Sequence, residues 1–162
     1  MAGVGVAEVS GGLREAVVVV ADRNEYAAIS ALVIEGLVER WGWHDSTLNL
    51  DLKSFSSFYE GATVLVAKVE NQIVGCGILI KERQNVGRIV RMSVSKLWRR
   101  SGIGSQVLAA LLQRANALGF TQIVLETSAD WESATRFYVS NGFTPTTVDN
   151  GDQHFVLIAS NR

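Results

Sequence analysis

Apolar residues recur along the chain with two different periods. Strand-like apolar stretches lie near residues 15–21, 62–69, 73–81, 87–95, 121–127, 143–147 and 153–159. Apolar residues at helical spacing occur over residues 22–38, 102–118 and 131–141, and residues 44–60 are predicted to hold a second, shorter helix. The pattern therefore predicts about seven strands and about four helices.

The segment 87–127 has the pattern of a crossover connection. A strand is followed by a short turn, by a helix that ends before Gly119, and by a further strand. Such a connection implies two parallel strands, whereas the short turns elsewhere favour antiparallel hairpins. We expect one α/β (α+β) domain over residues 15–162, with a central, mixed, mostly antiparallel twisted sheet. Residues 1–14 are small and Gly-rich, and are predicted to be a flexible lead-in.

Composition narrows the class of protein. The chain has 162 residues, 48% of them hydrophobic, and no apolar run approaches the roughly 18–20 residues that cross a bilayer. No signal-like segment opens the sequence, so a cytoplasmic protein without membrane contacts is expected. The single Cys76 lies in an apolar run and is predicted to be a buried thiol, and only His44 and His154 are present, so no metal site is predicted.

Charge is distributed unevenly although the net charge is only −1, a value that gives no reason to expect nucleic-acid binding. Residues 1–80 carry five Lys or Arg and ten Asp or Glu, whereas residues 81–162 carry ten and six. Seven of those ten basic residues fall between Lys81 and Arg100. Because this basic cluster ends where a glycine pair begins, a small polyanionic ligand is considered.

The glycine pair is Gly102 and Gly104, at the start of the helix predicted over residues 102–118. The first turn of a helix has unpaired N–H groups and the positive end of the helix dipole, and glycines allow a phosphate to approach the backbone. Ser105 could add a hydroxyl donor, and Arg99 or Arg100 could pair with a phosphate. A tight strand-to-helix turn explains a Gly-x-Gly pair equally well when it stands alone.

Two nucleotide sites are disfavoured by the residues that follow. The third glycine of the dinucleotide fingerprint is replaced by Val107, and no acidic ribose-binding residue stands where that fingerprint needs one. The Gly-Lys-Ser/Thr ending of a P-loop is also absent. A flavin, NAD or P-loop protein is therefore not expected.

The run from Val94 to Gly104 resembles the acetyl-CoA signature of the GNAT superfamily of N-acetyltransferases. That signature is Arg/Gln-x-x-Gly-x-Gly/Ala, and Arg99, Gly102 and Gly104 occupy its fixed positions. A second family pattern, Ala-x-x-Phe-Tyr-x-x-x-Gly-Phe, begins at Ala134. The resemblance covers roughly residues 62–145 and implies a parallel strand pair, β4 and β5 of the family, splayed around acetyl-CoA.

The resemblance also implies roles for individual residues. Backbone N–H groups of Gly102, Ile103, Gly104 and Ser105 would hold the CoA pyrophosphate, with Arg99 supporting the loop and Arg100 adding charge. Backbone groups of Met92, Ser93 and Val94 would bind the pantetheine arm, and an N–H near Met92 would polarise the thioester carbonyl. We expect these residues to bind acetyl-CoA as the co-substrate, and we expect no metal at the site.

Catalytic roles are implied for two side chains. Tyr138 occupies the place at which the family uses a tyrosine to protonate the departing thiolate. Arg88 stands where some members carry a carboxylate base, so Glu126 is the leading candidate for a proton relay, with Glu82 and Asp130 weaker. The alternative is that the acceptor binds as an already neutral amine. Trp131 stands where the family often has an asparagine that contacts CoA, so that contact is expected either to be lost or to pass to Asp130 or Ser133.

The acceptor is the least specified part of the prediction. In the family it lies near the first helices and the last hairpin, and a primary amine of a small molecule or peptide is expected, with a homodimer as a further expectation because dimers are common in the family. Acidic residues and two tryptophans in that region favour a cationic amine; they are Glu35, Glu39, Asp45, Asp51, Trp41 and Trp43. The alternative is a non-catalytic module that binds or senses acyl-CoA.

Overall fold

The structure is a computed structural model that describes residues 4–9, 12–45 and 47–159. Its strands are β1 (Val4–Val9), β2 (Gly12–Val20), β3 (Thr63–Val69), β4 (Gln72–Arg83), β5 (Val86–Val94), β6 (Gln122–Ser128), β7 (Thr144–Asp149) and β8 (Asp152–Ile158). Its helices are α1 (Tyr26–Trp41), α2 (Leu50–Lys53), α3 (Phe55–Phe58), α4 (Ile103–Ala117) and α5 (Glu132–Ser140). Short 3₁₀ turns at Arg23–Glu25 and Lys96–Trp98 precede α1 and α4.

The strands form one sheet in the order β1-β2-β3-β4-β5-β6-β8-β7. Every neighbouring pair is antiparallel except β5 and β6, which are parallel and joined through α4. The predicted mixed, mostly antiparallel sheet with one parallel pair is therefore confirmed. The parallel pair that the resemblance numbers β4 and β5 is β5 and β6 here, because β1 adds a strand at the start.

Strand β1 is the element that the hydrophobic pattern did not reveal. It lies within residues 1–14, the segment predicted as a lead-in, and pairs with β2 from Val4 opposite Val17 to Val9 opposite Gly12. Ladder hydrogen bonds join backbone groups, so a segment of small residues can form an edge strand without a strong apolar signature. Residues 1–3, 10 and 11 lie outside the described residues, and the boundary at residue 14 stays a prediction.

The helix predicted over residues 44–60 is divided in two. α2 and α3 are each four residues long, and Ser54 between them has φ −117° and ψ 47°, outside the helical region. Ser favours such positions because its side chain competes for backbone hydrogen bonds. Among the described residues there are thus five α-helices where the sequence predicted about four.

The sheet buries a core on each face. On one face α4 contributes Ile103, Val107, Leu108 and Leu111 to a cluster that also contains the buried ring of Phe155. The opposite face is covered by α1, α2 and α3. None of the helices in the described ranges combines the length and apolarity that a bilayer crossing requires.

Cys76 lies in the core on the α1 face and is fully buried. Burial raises the pKa of its thiol to about 12, and Sγ donates to the Arg91 carbonyl oxygen at 3.3 Å. The expectation of a buried structural thiol is confirmed.

Candidate active site

Strands β5 and β6 pair over only three positions and then separate. Their register runs from Val86 opposite Gln122 to Arg88 opposite Val124. Beyond that point β5 stays hydrogen-bonded to β4 as far as Val94, and β6 stays paired with β8 as far as Ser128. The two strands therefore open a wedge at the end of the sheet from which α4 begins.

A cavity of about 800 Å³ fills this wedge. It is bounded by α1, the second half of β5, the loop before α4, the end of β6 and the start of α5. Eleven of the predicted site residues line it: Met92, Ser93, Val94, Arg99, Arg100, Gly102, Gly104, Ser105, Glu126, Ser133 and Tyr138. The exception is Ile103, whose side chain is buried in the core beneath α4, so only its backbone can take part.

The N-terminus of α4 faces this cavity without a side-chain cap. Gly102 is the N-cap residue, with φ 87°, and no acidic residue occupies the first turn. The Gln106 N–H donates to the Gly102 carbonyl at 3.0 Å. The N–H groups of the residues before Gln106 have no carbonyl four residues earlier within the helix to which they could donate. A helix start of this kind can bind an anion through its N–H groups and its dipole.

Two arginines flank that helix start. Arg99 donates from Nε to the Val94 carbonyl at 3.0 Å and from Nη2 to Glu39 at 3.0 Å. It thereby ties the loop before α4 to both β5 and α1, and its hydrogen bonds lower the pKa of Glu39. Arg100 has φ 61°, lines the cavity and forms no side-chain hydrogen bond or ion pair with another described residue.

A β-bulge interrupts the edge of the cavity in β5. Cys76 of β4 is opposite Ser93, and Ile78 of β4 is opposite Val90. Between these two pairs β4 advances by two residues, whereas β5 advances by three. The extra residue places Arg91 in the left-handed region, with φ 54°. Past Arg88, β5 has no strand partner on the cavity side among the described residues, so its backbone groups there are open to a ligand.

Tyr138 lies at the boundary between the cavity and the core. Its ring packs against Phe137, Phe143 and Phe155 at centroid distances of 5.1, 5.9 and 5.7 Å. Burial raises the pKa of its hydroxyl to about 12, so the group is protonated at neutral pH. Within the described ranges the hydroxyl has no hydrogen-bond partner, and it is free to donate into the cavity.

Glu126 contributes a carboxylate to the cavity wall and is bonded to Arg88. Arg88 also donates to Glu82 at 2.7 Å, which lowers the pKa of Glu82. Of the weaker candidates, Glu82 and Asp130 do not line the cavity, and Asp130 forms an ion pair with Arg40 at 2.9 Å. The structure therefore brings Glu126, but neither alternative, to the cavity that holds Tyr138.

Comparison with known proteins decides the family. The model of the acetyltransferase (GNAT) family matches residues 26–143. The chain belongs to the GNAT family. Probable N-acetyltransferase 14 of Xenopus tropicalis is 36% identical over 101 residues, which are 59% of this chain and 48% of that protein. The chain spans about half the length of the curated relatives that it matches.

Solved structures agree with the GNAT fold. An acetyltransferase of the GNAT family from Staphylococcus aureus Mu50 superposes with a TM-score of 0.81 at 19% identity, covering 90% of this chain and 99% of that one. The PaiA N-acetyltransferase from Thermoplasma acidophilum, in complex with coenzyme A, has a TM-score of 0.76 at 13% identity and coverages of 88% and 98%.

Trp131 is the residue that the resemblance places where the family has an asparagine. The Trp131 ring lines the cavity and lies 5.4 Å from the guanidinium of Arg40, which also lies 4.5 Å from the Trp41 ring. Arg40 thus links the end of α1 to the segment between β6 and α5. Ser133 lines the cavity and Asp130 does not, so Ser133 is the better placed of the two predicted replacements for the family asparagine.

Two of the four carboxylates in the acidic region expected to attract a cationic acceptor are paired with arginines in this GNAT chain. Asp51 is bonded to Arg91 and Glu39 to Arg99, and Asp45 accepts hydrogen bonds from Thr47. The local charge therefore gives less support to a cationic amine than the sequence alone suggested.

Arg91 is a residue of this GNAT site that the sequence analysis did not single out. A signal was present, because the apolar positions of β5 change phase between Ile89 and Met92. A strand without a bulge keeps every second residue on one face, so Ile89 and Met92 could not share the α4 face as they do. Such a phase change indicates an inserted residue.

Proposed function

We propose that the chain is an N-acetyltransferase that transfers an acetyl group from acetyl-CoA to a primary amine by direct attack in a ternary complex. The observation that carries the proposal is the cavity between β5 and β6, which joins the uncapped start of α4 to the Tyr138 hydroxyl. A binding site for the CoA pyrophosphate and a proton donor for its thiolate are thereby available in one space.

The residues present fit acetyl-CoA as the co-substrate. An added Cβ at Gly102 would meet no atom within 4 Å, so the loop presents open backbone. The N–H groups of Gly102 to Ser105 would hold the pyrophosphate, and Arg100 and Ser133 line the same cavity. Met92, Ser93 and Val94 would bond the pantetheine arm through their backbone. The coenzyme A complex of the Thermoplasma relative supports this assignment.

The proposed chemistry divides between backbone and side chains. An N–H near Met92 would stabilise the negative charge that develops on the thioester carbonyl oxygen as the amine attacks. The C–N bond forms as the C–S bond breaks, and Tyr138 gives its proton to the leaving thiolate. Glu126 would take the proton that the amine loses, through water, and Tyr138 would be reprotonated from solvent.

The acceptor is proposed to be a primary amine of a small molecule or peptide. It would enter beside α1, whose residues Val33, Leu37 and Trp41 form part of the cavity wall. Transfer to a panel of polyamines, amino acids and peptides tests its charge, and a preference for anionic amines would contradict a cationic acceptor. A homodimer and a cytoplasmic location stay predictions.

Calorimetric titration with acetyl-CoA, CoA and NAD tests the site. An added Cβ at Gly104 would lie 3.4 Å from Phe137 and 3.7 Å from Val94, which is ordinary contact, so Gly104→Ala is the matched control. Gly104→Trp should abolish CoA binding by filling the cavity, while Gly104→Ala should keep most of it and NAD should not bind. Absence of CoA binding in the unaltered protein would refute the proposal, and binding without turnover would favour the sensing module.

A further inference from the structure

The bulge residue of β5 is an arginine in a backbone conformation that favours glycine. Arg91 has φ 54°, which costs free energy in any residue with a Cβ. An unsupported strand would be expected to escape this cost by removing the bulge or by using glycine there. Something must therefore hold Arg91 in place.

The Arg91 side chain supplies that support. Its guanidinium bonds both carboxylate oxygens of Asp51, at 2.8 and 2.7 Å, and the Asn49 side-chain oxygen at 2.9 Å. Tyr59 donates its hydroxyl to the same carboxylate. On the backbone side, the Arg91 carbonyl accepts from the Cys76 thiol. The bulge is thus anchored to α2 and to β4.

The anchor is a charged pair in the folded protein. The Asp51 side chain is only 9% exposed. Burial alone would raise its pKa, but hydrogen bonds from Arg91 and Tyr59 outweigh that effect and lower the pKa. A bidentate arginine–carboxylate contact of this kind fixes the orientation of the guanidinium as well as its distance from the carboxylate.

The bulge determines which parts of β5 face the cavity. Ile89, Met92 and Val94 all belong to the core on the α4 face, while Val90 and Ser93 face α1. Successive residues of a strand direct their N–H and C=O groups to opposite edges. An inserted residue therefore changes which residues of β5 direct their N–H groups into the wedge.

We propose that Arg91 is a positioning residue, held by Asp51, that fixes the bulge and so aims the N–H groups of Met92 and Val94 into the cavity. This inference rests on the proposed acetyl transfer for its kinetic consequence. Its structural part, the dependence of the bulge on the Arg91 side chain, is independent of the activity. One readout can therefore test the structural part, and another can test the kinetic consequence.

The test compares alanine and glycine at position 91 in an Asp51→Asn background, which leaves no buried carboxylate unpaired. Both double variants lose the anchor, but glycine adopts a positive φ without strain. Misplacing the oxyanion donor near Met92 should lower kcat of the alanine double variant about tenfold or more, and misplacing the backbone groups that would bind the pantetheine arm should raise its KM for acetyl-CoA. The glycine double variant should recover a large part of that loss.

Amide NMR spectra without substrate give the second readout. The resonances of Met92 and Ser93 should move in the alanine double variant and return towards their original positions in the glycine one. Equal resonance shifts in the two variants, or none, would overturn the inference whatever the activity. If the resonances behave as expected but the unaltered protein neither binds nor uses acetyl-CoA, only the proposed function fails.

A matched control removes another ion pair. Lys68 and Glu25 form a pair with side chains 25% and 16% exposed, and neither residue lines the cavity. Glu25→Gln should leave kcat and the two amide resonances unchanged. A fall in kcat as large as that of the alanine double variant would show that a general loss of stability, rather than the bulge, is responsible, and would overturn the inference.

Discussion

Arg88 and Glu126 form an ion pair across strands β5 and β6 at the point where the two strands separate. Arg88 is opposite Val124 in the last paired position, and Glu126 lies two residues further along β6, where it lines the cavity. Arg88 also binds Glu82 on β4. One arginine thus connects three adjacent strands at the closed end of the wedge, and Glu126 has both a structural contact and the proposed role in proton transfer.

The first prediction separates these two roles of Glu126. Glu126→Gln should lower kcat about tenfold or more near pH 7 if its carboxylate accepts the amine proton. The loss should shrink at higher pH, where more of the amine is already neutral. The measurement is the pH dependence of kcat with a fixed amine acceptor.

Glu82→Gln is the matched control for Glu126. It breaks a contact to the same arginine, but Glu82 does not line the cavity. A change of less than about threefold is expected, since only a partly exposed ion pair is lost. If both variants lose the same activity at every pH, the role of Glu126 is to hold the strands through Arg88, and it is not a proton relay.

The second prediction concerns the Tyr138 hydroxyl. Tyr138→Phe keeps the ring among three phenylalanines and removes only a group without a described hydrogen-bond partner. Stability should be almost unchanged, while kcat should fall about a hundredfold with KM for acetyl-CoA preserved. Steady-state kinetics and thermal unfolding of both proteins provide the measurement, and unchanged kcat would remove Tyr138 from the mechanism.

The pKa of Tyr138 adds a pH criterion. Because burial raises this pKa to about 12, the hydroxyl should keep its proton well above the ordinary tyrosine value of about 10. The unaltered enzyme should therefore show no loss of kcat centred near pH 10. A loss centred there would assign the donor to a tyrosine with an ordinary pKa.

Much of this site was predictable because it depends on local sequence patterns. Gly102 and Gly104 mark a strand-to-helix turn, and Tyr138 stands at a fixed distance from Gly142 in a short helix. These patterns carried the family resemblance that implied the site residues, and eleven of those residues line one cavity.

The remaining features depend on contacts between residues far apart in sequence. Arg91 and Asp51 are 40 residues apart, and Arg99 and Glu39 are 60 apart. Opposite charges alone do not specify partners at such separations, which is why these acidic residues were interpreted as an acceptor surface. Strand β1 was missed for a related reason, since its backbone pairing to β2 requires no pattern of large apolar side chains.

The third prediction uses two glycines with the same backbone conformation. Gly102 has φ 87° and Gly119 has φ 84°, and an added Cβ would meet nothing within 4 Å at either position. Replacement by alanine should therefore lower the free energy of unfolding by about 1 kcal/mol at both sites, through backbone strain alone.

Ligand binding should separate the two alanine variants. Gly102 lines the cavity at the start of α4, whereas Gly119 follows the other end of the helix. Gly102→Ala should weaken CoA binding in calorimetry, and Gly119→Ala should leave the affinity unchanged. Equal affinities in the two variants would argue against a phosphate contact at the backbone of Gly102.

The last prediction concerns the stability contributed by Asp51 at different pH values. Its pKa in the folded protein lies below the ordinary value of about 4, because bonds from Arg91 and Tyr59 outweigh the effect of burial. A carboxyl with a depressed folded-state pKa stabilises the protein fully above its unfolded pKa, and loses this contribution as pH falls through the folded value. Asp51→Asn should therefore reduce the free energy of unfolding by about 2 kcal/mol near pH 7.

That difference between the two proteins should begin to shrink below about pH 4, where the Asp51 carboxyl of the unfolded chain takes up a proton, and should disappear as pH falls through the lower folded-state pKa. Urea unfolding followed by circular dichroism, from about pH 7 down to about pH 2, measures both curves. Glu25→Gln serves as a comparison, since Lys68 lowers the pKa of Glu25 at a site remote from the cavity. A difference for Asp51→Asn that grows as pH falls would mean that burial dominates, and that the Arg91 contact does not stabilise the charged form.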